Sequence, residues 1–282
     1  MDLRDYIRLA LSEDVGDGDH TSLSTIPPEA QKRARLLVKE DGLVAGVEVA
    51  RIIFEEVDPL LEVEILITDG QPIKKGDIVL TVNGRAQAIL KAERLVLNVM
   101  QRMSGIATYT HFLVGLLEDL PTKLLDTRKT TPNFRIFEKM ATKIGGAVNH
   151  RYALYDMILI KDNHVDYAGG IEAAIGKANE YVQRKGKNLQ IEIEVRNLAE
   201  LDEALRVGNV QRIMLDNFDL PTLREAVLRV NSRYPTEASG NIRETTIRAV
   251  AETGVDFISC GALTHQVKSL DLSLKAYWKR GK

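Results

Sequence analysis

The chain has 282 residues and a mass of 31.5 kDa, enough for one large core or two modest ones, and 44% apolar with 28% charged residues is ordinary globular composition. With 38 Lys and Arg against 40 Asp and Glu the net charge is −2, so no global positive field draws the protein to nucleic acid or an acidic membrane, and any basic site must be local. One cysteine, Cys260, excludes an internal disulfide framework and a Cys-based zinc site and points to a reducing compartment, the cytoplasm.

The opening MDLRDYIRLALSEDVGDGD lacks the apolar stretch of a signal peptide, and no later apolar run is long enough to span a bilayer; a soluble protein is expected. Leu3 to Leu11 reads as an amphipathic helix, and Ala34 to Glu40, Leu43 to Ala45 and Leu61 to Thr68 read as strands. The acidic loop Asp14 to Asp19 imitates a calcium loop but breaks the EF-hand register and lacks its final Glu, so it is read as a structural turn. The stretch DGQPIKKGDIVLTVNGRAQAIL, with an Asn83-Gly84 hairpin signal, looks like the compact β units of biotinyl and lipoyl carriers. It lacks a modifiable Lys at the expected hairpin tip, which leaves a structural β module. From about Ala92 the run ERLVLNVMQRMSGIATYTHFLVGLL has helical spacing, with Gly105 as a candidate break or kink.

After Pro121 short β-rich runs alternate with amphipathic helices, the pattern of a parallel α/β architecture. The strands are expected at Lys123 to Asp126, Met157 to Ile160, Ile191 to Val195, Arg212 to Leu215, Pro235 to Ala238 and Asp256 to Ser259. Helices are expected at Phe134 to Ile144, Gly170 to Arg184, Leu198 to Val207, Leu220 to Arg233 and Ile242 to Thr253. The Gly-rich dinucleotide fingerprint is missing, which favours a barrel over a doubly wound sheet.

Each strand candidate stops at polar residues or glycine, where barrel enzymes place their chemistry: Thr127-Arg128-Lys129, Lys161, Arg196-Asn197, Asp216-Asn217, Ser239-Gly240-Asn241 and Cys260-Gly261. Polar residues also end strands and cap helices for local reasons, but repetition at successive strand ends weakens that explanation. Arg128, Lys129, Arg151 and Lys161 supply cations suited to carboxylate and phosphate oxygens, and Glu194 and Asp216 supply carboxylates suited to a hard cation such as Mg²⁺. Ser239-Gly240-Asn241 precedes the expected helix IRETTIRAVAETG, whose N-terminal N–H groups would face an anion.

LDTRKTTP (Leu125 to Pro132), NHRYALYDMILIKDNH (Asn149 to His164), IEIEVR (Ile191 to Arg196) and MLDN (Met214 to Asn217) together resemble quinolinate phosphoribosyltransferases. EDVGDGDHTS (Glu13 to Ser22), EASGNI (Glu237 to Ile242) and ISCGALTH (Ile258 to His265) extend the resemblance over nearly the whole chain. It implies an α/β sandwich domain, residues 1–110 with 266–282 returning to it, and an open TIM-like α/β barrel over 111–265. It implies transfer of phosphoribose from phosphoribosyl pyrophosphate to quinolinate with decarboxylation, giving nicotinate mononucleotide, pyrophosphate and CO2 for NAD synthesis. It implies a homodimer in which Arg102 reaches the neighbouring subunit's site. Thr127, Arg128, Lys129, His150, Arg151 and Lys161, with Arg102, are then expected around the quinolinate carboxylates and pyrophosphate. Glu194 and Asp216 are expected on ribose hydroxyls and Mg²⁺. Ser239, Gly240 and Asn241, with Ser259, Cys260 and Gly261, are expected on the 5-phosphate. Lys129, Lys161, Glu194 and Asp216 carry the catalytic roles.

The chemistry needs no protein nucleophile, so Cys260 is read as a buried small apolar residue, and His20, His111, His164 and His265 as hydrogen-bonded structural histidines. Three rival readings stand beside this one: a paralogous phosphoribosyltransferase of the type linked to molybdenum transport, a Schiff-base lyase using Lys161, and a non-catalytic barrel that senses phosphorylated metabolites.

Overall fold

A computed structural model of the chain describes residues 2–277. The chain opens with helices α1 (Leu3–Val15) and α2 (His20–Thr25), strands β1 (Gln31–Val38) and β2 (Gly42–Leu43), and helix α3 (Val47–Val57). Strands β3 (Glu62–Ile65), β4 (Pro72–Ile73) and β5 (Ile78–Arg85) lead into the long helix α4 (Ala86–Gly115). Next come β6 (Lys123–Leu125), α5 (Arg135–Ile144), β7 (Ile158–Ile160), α6 (Asp162–Ala168), α7 (Ile171–Lys185) and β8 (Ile191–Val195). The chain continues through α8 (Leu198–Val207), β9 (Arg212–Asp216), α9 (Leu220–Val230) and β10 (Thr236–Ser239). It ends with α10 (Ile247–Ala251), β11 (Phe257–Ser259), α11 (Ala262–His265) and β12 (Leu272–Ala276).

Two compact units result. The first contains the described residues through His111, together with Thr130–Gly146 and the segment from Gln266 onward. Its four-stranded antiparallel sheet has the order β12-β1-β5-β3. Leu36 and Val38 of β1, Leu80 and Val82 of β5, Ile53 and Phe54 of α3, and Val96, Met100 and Met103 of α4 join one apolar core. Each such side chain contributes about 1.5–3 kcal/mol by leaving water. Asp2 starts α1 by accepting from the Asp5 backbone N–H while Asp5 returns the bond, a capping box.

Several expectations are corrected here. Asn83-Gly84 is not a hairpin tip: it lies inside β5, paired with β1 on one side and β3 on the other. Gly84, at φ 148°, lets Leu61 cross its backbone, since a Cβ there would come within 2.6 Å of Leu61 Cδ2. Gly105 does not break α4, which runs unbroken over 30 residues. The glycine serves a close approach instead, because a Cβ would stand 2.2 Å from the Lys268 carbonyl oxygen. Thr130–Gly146 groups with the first unit rather than with the barrel, because Phe137 and Ala141 of α5 pack into the first unit's core. The expected C-terminal return is present as β12 against β1, and its last part, 278–282, lies outside the described residues.

The second unit, Phe112–Lys129 with Ala147–His265, carries a six-stranded parallel sheet of order β6-β11-β10-β9-β8-β7. The first strand in sequence therefore lies beside the last, while β7 to β11 follow as successive neighbours. A doubly wound sheet would start from its middle; this cyclic order is that of an open TIM-like α/β barrel, with its gap between β6 and β7. The six strands expected after Pro121 all form, within one residue of the anticipated limits. The helix expected at Ile242 to Thr253 starts only at Ile247. Upstream, the Thr246 hydroxyl accepts from the Arg243 backbone N–H at 3.0 Å, a local turn that competes with helix.

Candidate functional site

Parallel strands alternate their side chains between the helix layer and the sheet's other face. On β8, Ile191, Ile193 and Val195 alternate with Glu192 and Glu194, and all five are buried. On the face that carries the glutamates lie Leu159 of β7, Met214 of β9, Glu237 and Ser239 of β10 and Ser259 of β11, which line a cavity of about 310 Å³. The residues after β6 and those before β7 complete its wall: Asp126, Thr127, Arg128, Lys129, His150 and Arg151, with Lys161 at the end of β7. Eight of the expected site residues thus share one cavity: Thr127, Arg128, Lys129, His150, Arg151, Lys161, Ser239 and Ser259.

The cations here are of two kinds. Lys161 Nζ donates to Glu194 Oε2 at 2.8 Å, joining a half-exposed ammonium to a carboxylate that is nearly buried. Arg151 donates from Nη1 to the Met157 carbonyl at 3.3 Å, and neither it nor Lys129 forms an ion pair among the described residues. Burial and the charge of Arg128 lower the proton affinity of Arg151, though a guanidinium keeps its charge throughout the physiological range. Cations without internal counter-ions in a polar cavity make an anion site.

Below them lies a cluster of which the sequence singles out only His150. Asp126 accepts from the His150 backbone N–H at 2.8 Å and from Asn149 Nδ2 at 2.6 Å. His150 Nε2 faces Glu192 Oε2 at 3.0 Å and Glu237 Oε2 at 3.4 Å, both carboxylates being fully buried. Arg212 Nη1 donates to Glu237 at 3.0 Å and stacks 4.4 Å over the Phe257 ring. The Arg151 backbone N–H donates to His150 Nδ1 at 2.6 Å, which leaves the proton of the neutral ring on Nε2, toward the carboxylates. Burial opposes charge on the ring, but Glu192 and Glu237 outweigh it and push His150 up to about 9. Glu192 is raised by burial; Glu237 is held low despite burial, chiefly by His150. The alternation in IEIEV carried the signal: Glu192 shares a face with Glu194 and was passed over.

Of the remaining expected residues, Asp216, Gly240, Asn241, Cys260 and Gly261 lie at or just after the ends of β9, β10 and β11 in the same unit. Asp216 is half-buried, accepts from Asn217 Nδ2 at 2.6 Å and pairs in register with Ser239. Gly240 has φ 96°, and a Cβ there would stand 2.1 Å from Asn217 Oδ1; Asn241 Nδ2 donates to that same oxygen at 3.1 Å. These contacts lock the loops after β9 and β10 together. The expected helix N-terminus at Ser239 to Asn241 is absent, since α10 begins at Ile247 and has only five residues. Cys260 is buried, and burial pushes its thiol up, away from nucleophile character. Gly261 passes so close to Lys129 that a Cβ would stand 3.0 Å from Lys129 Cδ, and Thr264 Oγ1 donates to the Lys129 carbonyl at 2.6 Å. Arg102 belongs to the first unit, where Nε and Nη2 donate to the buried Glu138 carboxylate at 3.2 and 2.9 Å, and Nη1 donates to the Val267 carbonyl at 2.8 Å. His164 accepts from the Lys161 backbone N–H at 3.0 Å and closes the first turn of α6, a structural role.

Comparison with known proteins agrees with this architecture. Residues 19–104 match the family described as quinolinate phosphoribosyl transferase, N-terminal domain, and residues 106–275 match its C-terminal domain. A protein of Nicotiana tabacum named quinolinate phosphoribosyltransferase [decarboxylating] 1b is 46% identical, over 97% of this chain and 82% of its own length. A chloroplastic protein of Arabidopsis thaliana named nicotinate-nucleotide pyrophosphorylase [carboxylating] is 46% identical over the same shares. The crystal structure of NadC from Streptococcus pyogenes superposes with a TM-score of 0.91 at 38% identity, covering 98% of this chain and 97% of that one. The chain belongs to the quinolinate phosphoribosyltransferase family.

Proposed function

We propose that the protein transfers the phosphoribosyl group of phosphoribosyl pyrophosphate to the ring nitrogen of quinolinate and releases nicotinate mononucleotide, pyrophosphate and CO2. The observation that carries this is the cavity with Arg151 and Lys129, free of ion pairs among the described residues, beside the Lys161–Glu194 pair. It holds cations for two polyanions, and its cysteine neighbour Cys260 is a poor nucleophile. The reaction fits such a site. Leaving of pyrophosphate builds positive charge at ribose C1 and negative charge on the departing group, so stabilisation comes from fixed cations rather than a covalent intermediate. Arg128, Arg151 and Lys129 anchor and orient the diacid so that its nitrogen faces C1. Lys161 neutralises developing charge while Glu194 fixes its ammonium.

Glu194 and Asp216 offer hard carboxylate oxygens on adjacent strands, donors that suit Mg²⁺. When bound, Mg²⁺ would neutralise charge on the leaving group. Ser239, Gly240 and Asn241, with Ser259 and Gly261, are assigned to the 5-phosphate. Arg102 is assigned to the neighbouring copy's site in a homodimer, with Glu138 holding its guanidinium. The cytoplasm is proposed as its location on the strength of the single cysteine; none of the described helices is long and apolar enough to cross a membrane.

Incubation with quinolinate, phosphoribosyl pyrophosphate and Mg²⁺ should yield nicotinate mononucleotide, pyrophosphate and CO2. Turnover of nicotinate but not quinolinate would overturn the assignment. Mixing inactive Arg102→Ala and Lys161→Ala proteins should restore part of the activity, and its absence in verified mixed dimers would remove Arg102 from the shared site.

A further inference from the structure

Glu192 and Glu237 are not needed to close the sheet. Both are fully buried, and Oε1 of each accepts no hydrogen bond. Buried charges with incompletely bonded oxygens are expensive, and an apolar residue of similar size in such a position is often neutral or stabilising. Their cross-strand partners on the same face, Leu159 of β7 and Met214 of β9, are apolar and show what that face admits without them. Local rules broken at this expense mark a functional region.

The other oxygen of each carboxylate is used, and both uses converge on one ring. Glu192 Oε2 lies 3.0 Å and Glu237 Oε2 3.4 Å from His150 Nε2. Arg212 holds Glu237 from the other side at 3.0 Å and supplies the counter-charge. The ring's second nitrogen lies 2.6 Å from the Arg151 backbone nitrogen, a bond that only the neutral ring can accept, and Asp126 receives the His150 backbone N–H in either state of the ring. The His150-Arg151 pair is therefore tied at the ring and at the main chain, while the Arg151 guanidinium, which has no carboxylate ion-pair partner among the described residues, faces the cavity.

We propose that Glu192 and Glu237 are positioning residues for the acceptor's carboxylate: acting through His150 from beneath the cavity, they fix the Arg151 cation that receives it. This rests on the reading of the reaction above. Glu192 is not among the residues that line the cavity, and Glu237, which borders it, is held by His150 and Arg212; each acts through the imidazole. Because the network serves the diacid's anchor and not the ribose or pyrophosphate, its loss separates the two substrates kinetically.

The test uses the full-length protein with Glu192→Gln, which keeps the shape and removes the charge, and Glu192→Ala, which removes the support. The expected result is a KM for quinolinate raised tenfold or more, with the KM for phosphoribosyl pyrophosphate within twofold of wild type. The melting temperature of Glu192→Gln should not fall. Unchanged KM values for both substrates, or equal rises in both, would overturn the proposal.

A second measurement needs no turnover and decides the matter even if the wild type proves inactive on quinolinate, which would sink the reaction and not this device. In protein with ¹⁵N-labelled histidine, the His150 Nε2–H should give a low-field, slowly exchanging signal, assigned by its loss in His150→Gln. It should be lost or moved in Glu192→Gln. A signal that stays unmoved in that variant overturns the proposal.

Discussion

The two sheets of this molecule use burial in opposite ways. In the antiparallel unit the core against the sheet is aliphatic and aromatic: Leu36, Val38, Ile53, Phe54, Leu80 and Met100 are each fully buried, strand charges such as Arg33 and Glu64 stay at the surface, and the unit's buried carboxylates Asp58 and Glu138, which lie off the strands, are each paired with an arginine, Arg85 and Arg102. In the parallel unit the sheet buries Asp126, Glu192, Glu194 and Glu237 together with a nearly buried histidine ring. The first arrangement yields stability and little chemistry. The second accepts desolvation cost, and the charges it hides are those that hold and orient the ones it shows, Lys161 and Arg151. Burial alone therefore says little about a residue's task; what matters is whether the buried group satisfies itself or another.

The contrast is tested most severely in the first unit. Phe54→Ala removes a side chain with no exposure and should destabilise by about 3–5 kcal/mol, read as a lowered urea midpoint. The KM values of the protein that remains folded should be those of wild type. A changed KM for either substrate would mean that this core has a part in the chemistry.

The reverse is expected for Lys161→Ala. Its ammonium is half exposed, so the melting temperature should hardly move, while kcat should fall 10²–10³-fold, roughly 3–4 kcal/mol of transition-state stabilisation. A small kcat effect would transfer the charge-neutralising role to Lys129 or Arg128. It would also leave the Lys161–Glu194 pair as a structural one, in which a half-exposed ammonium serves a nearly buried carboxylate.

His150 carries the contrast into pH. Its proton affinity is raised from 6.5 to about 9 in the folded protein, so the folded state binds a proton more tightly than the unfolded chain. The resulting stabilisation is fully present below pH 6.5 and is lost as pH rises through about 9. The shift bounds it at roughly 3 kcal/mol. The gap in melting temperature between wild type and His150→Gln should be wide at pH 6 and narrow by pH 9.5. A gap that widens with pH would show that Glu192 and Glu237 do not hold the proton.

Much of this was legible in the chain itself. The parallel strands announce themselves as short β-branched runs, and Lys129 and Lys161 follow from where those runs stop, whereas Arg151, which precedes β7, rests on the family resemblance. Glu192 and Glu237 were harder. An alternating IEIEV is the pattern of a strand with one wet face, and only the curvature that turns that face into a barrel interior shows the glutamates to be buried. Asn83-Gly84 misled for a similar reason: the dipeptide has the conformational freedom of a hairpin, but tertiary pairing with β1 and β3 uses it inside a strand. The amphipathic pattern of α5 showed that it has a buried face without showing which core receives it.

The finest probe of the division is Gly240→Ala, a change of one methyl group. At φ 96° alanine is strained, and its Cβ would be placed 2.1 Å from Asn217 Oδ1, so the loops after β9 and β10 must part. Strain of this kind costs about 1–3 kcal/mol. Its site is the loop pair and not a packed core, so relaxation is local and the melting temperature should drop by only a few degrees. Binding should register it more clearly. If these loops hold the 5-phosphate, the KM for phosphoribosyl pyrophosphate rises while that for quinolinate stays, the converse of the pattern expected for Glu192→Gln. Together the two variants would divide the cavity into a sugar-phosphate half, built on loop geometry, and a diacid half, built on buried charge. Equal effects of both variants on both substrates would merge those halves into one.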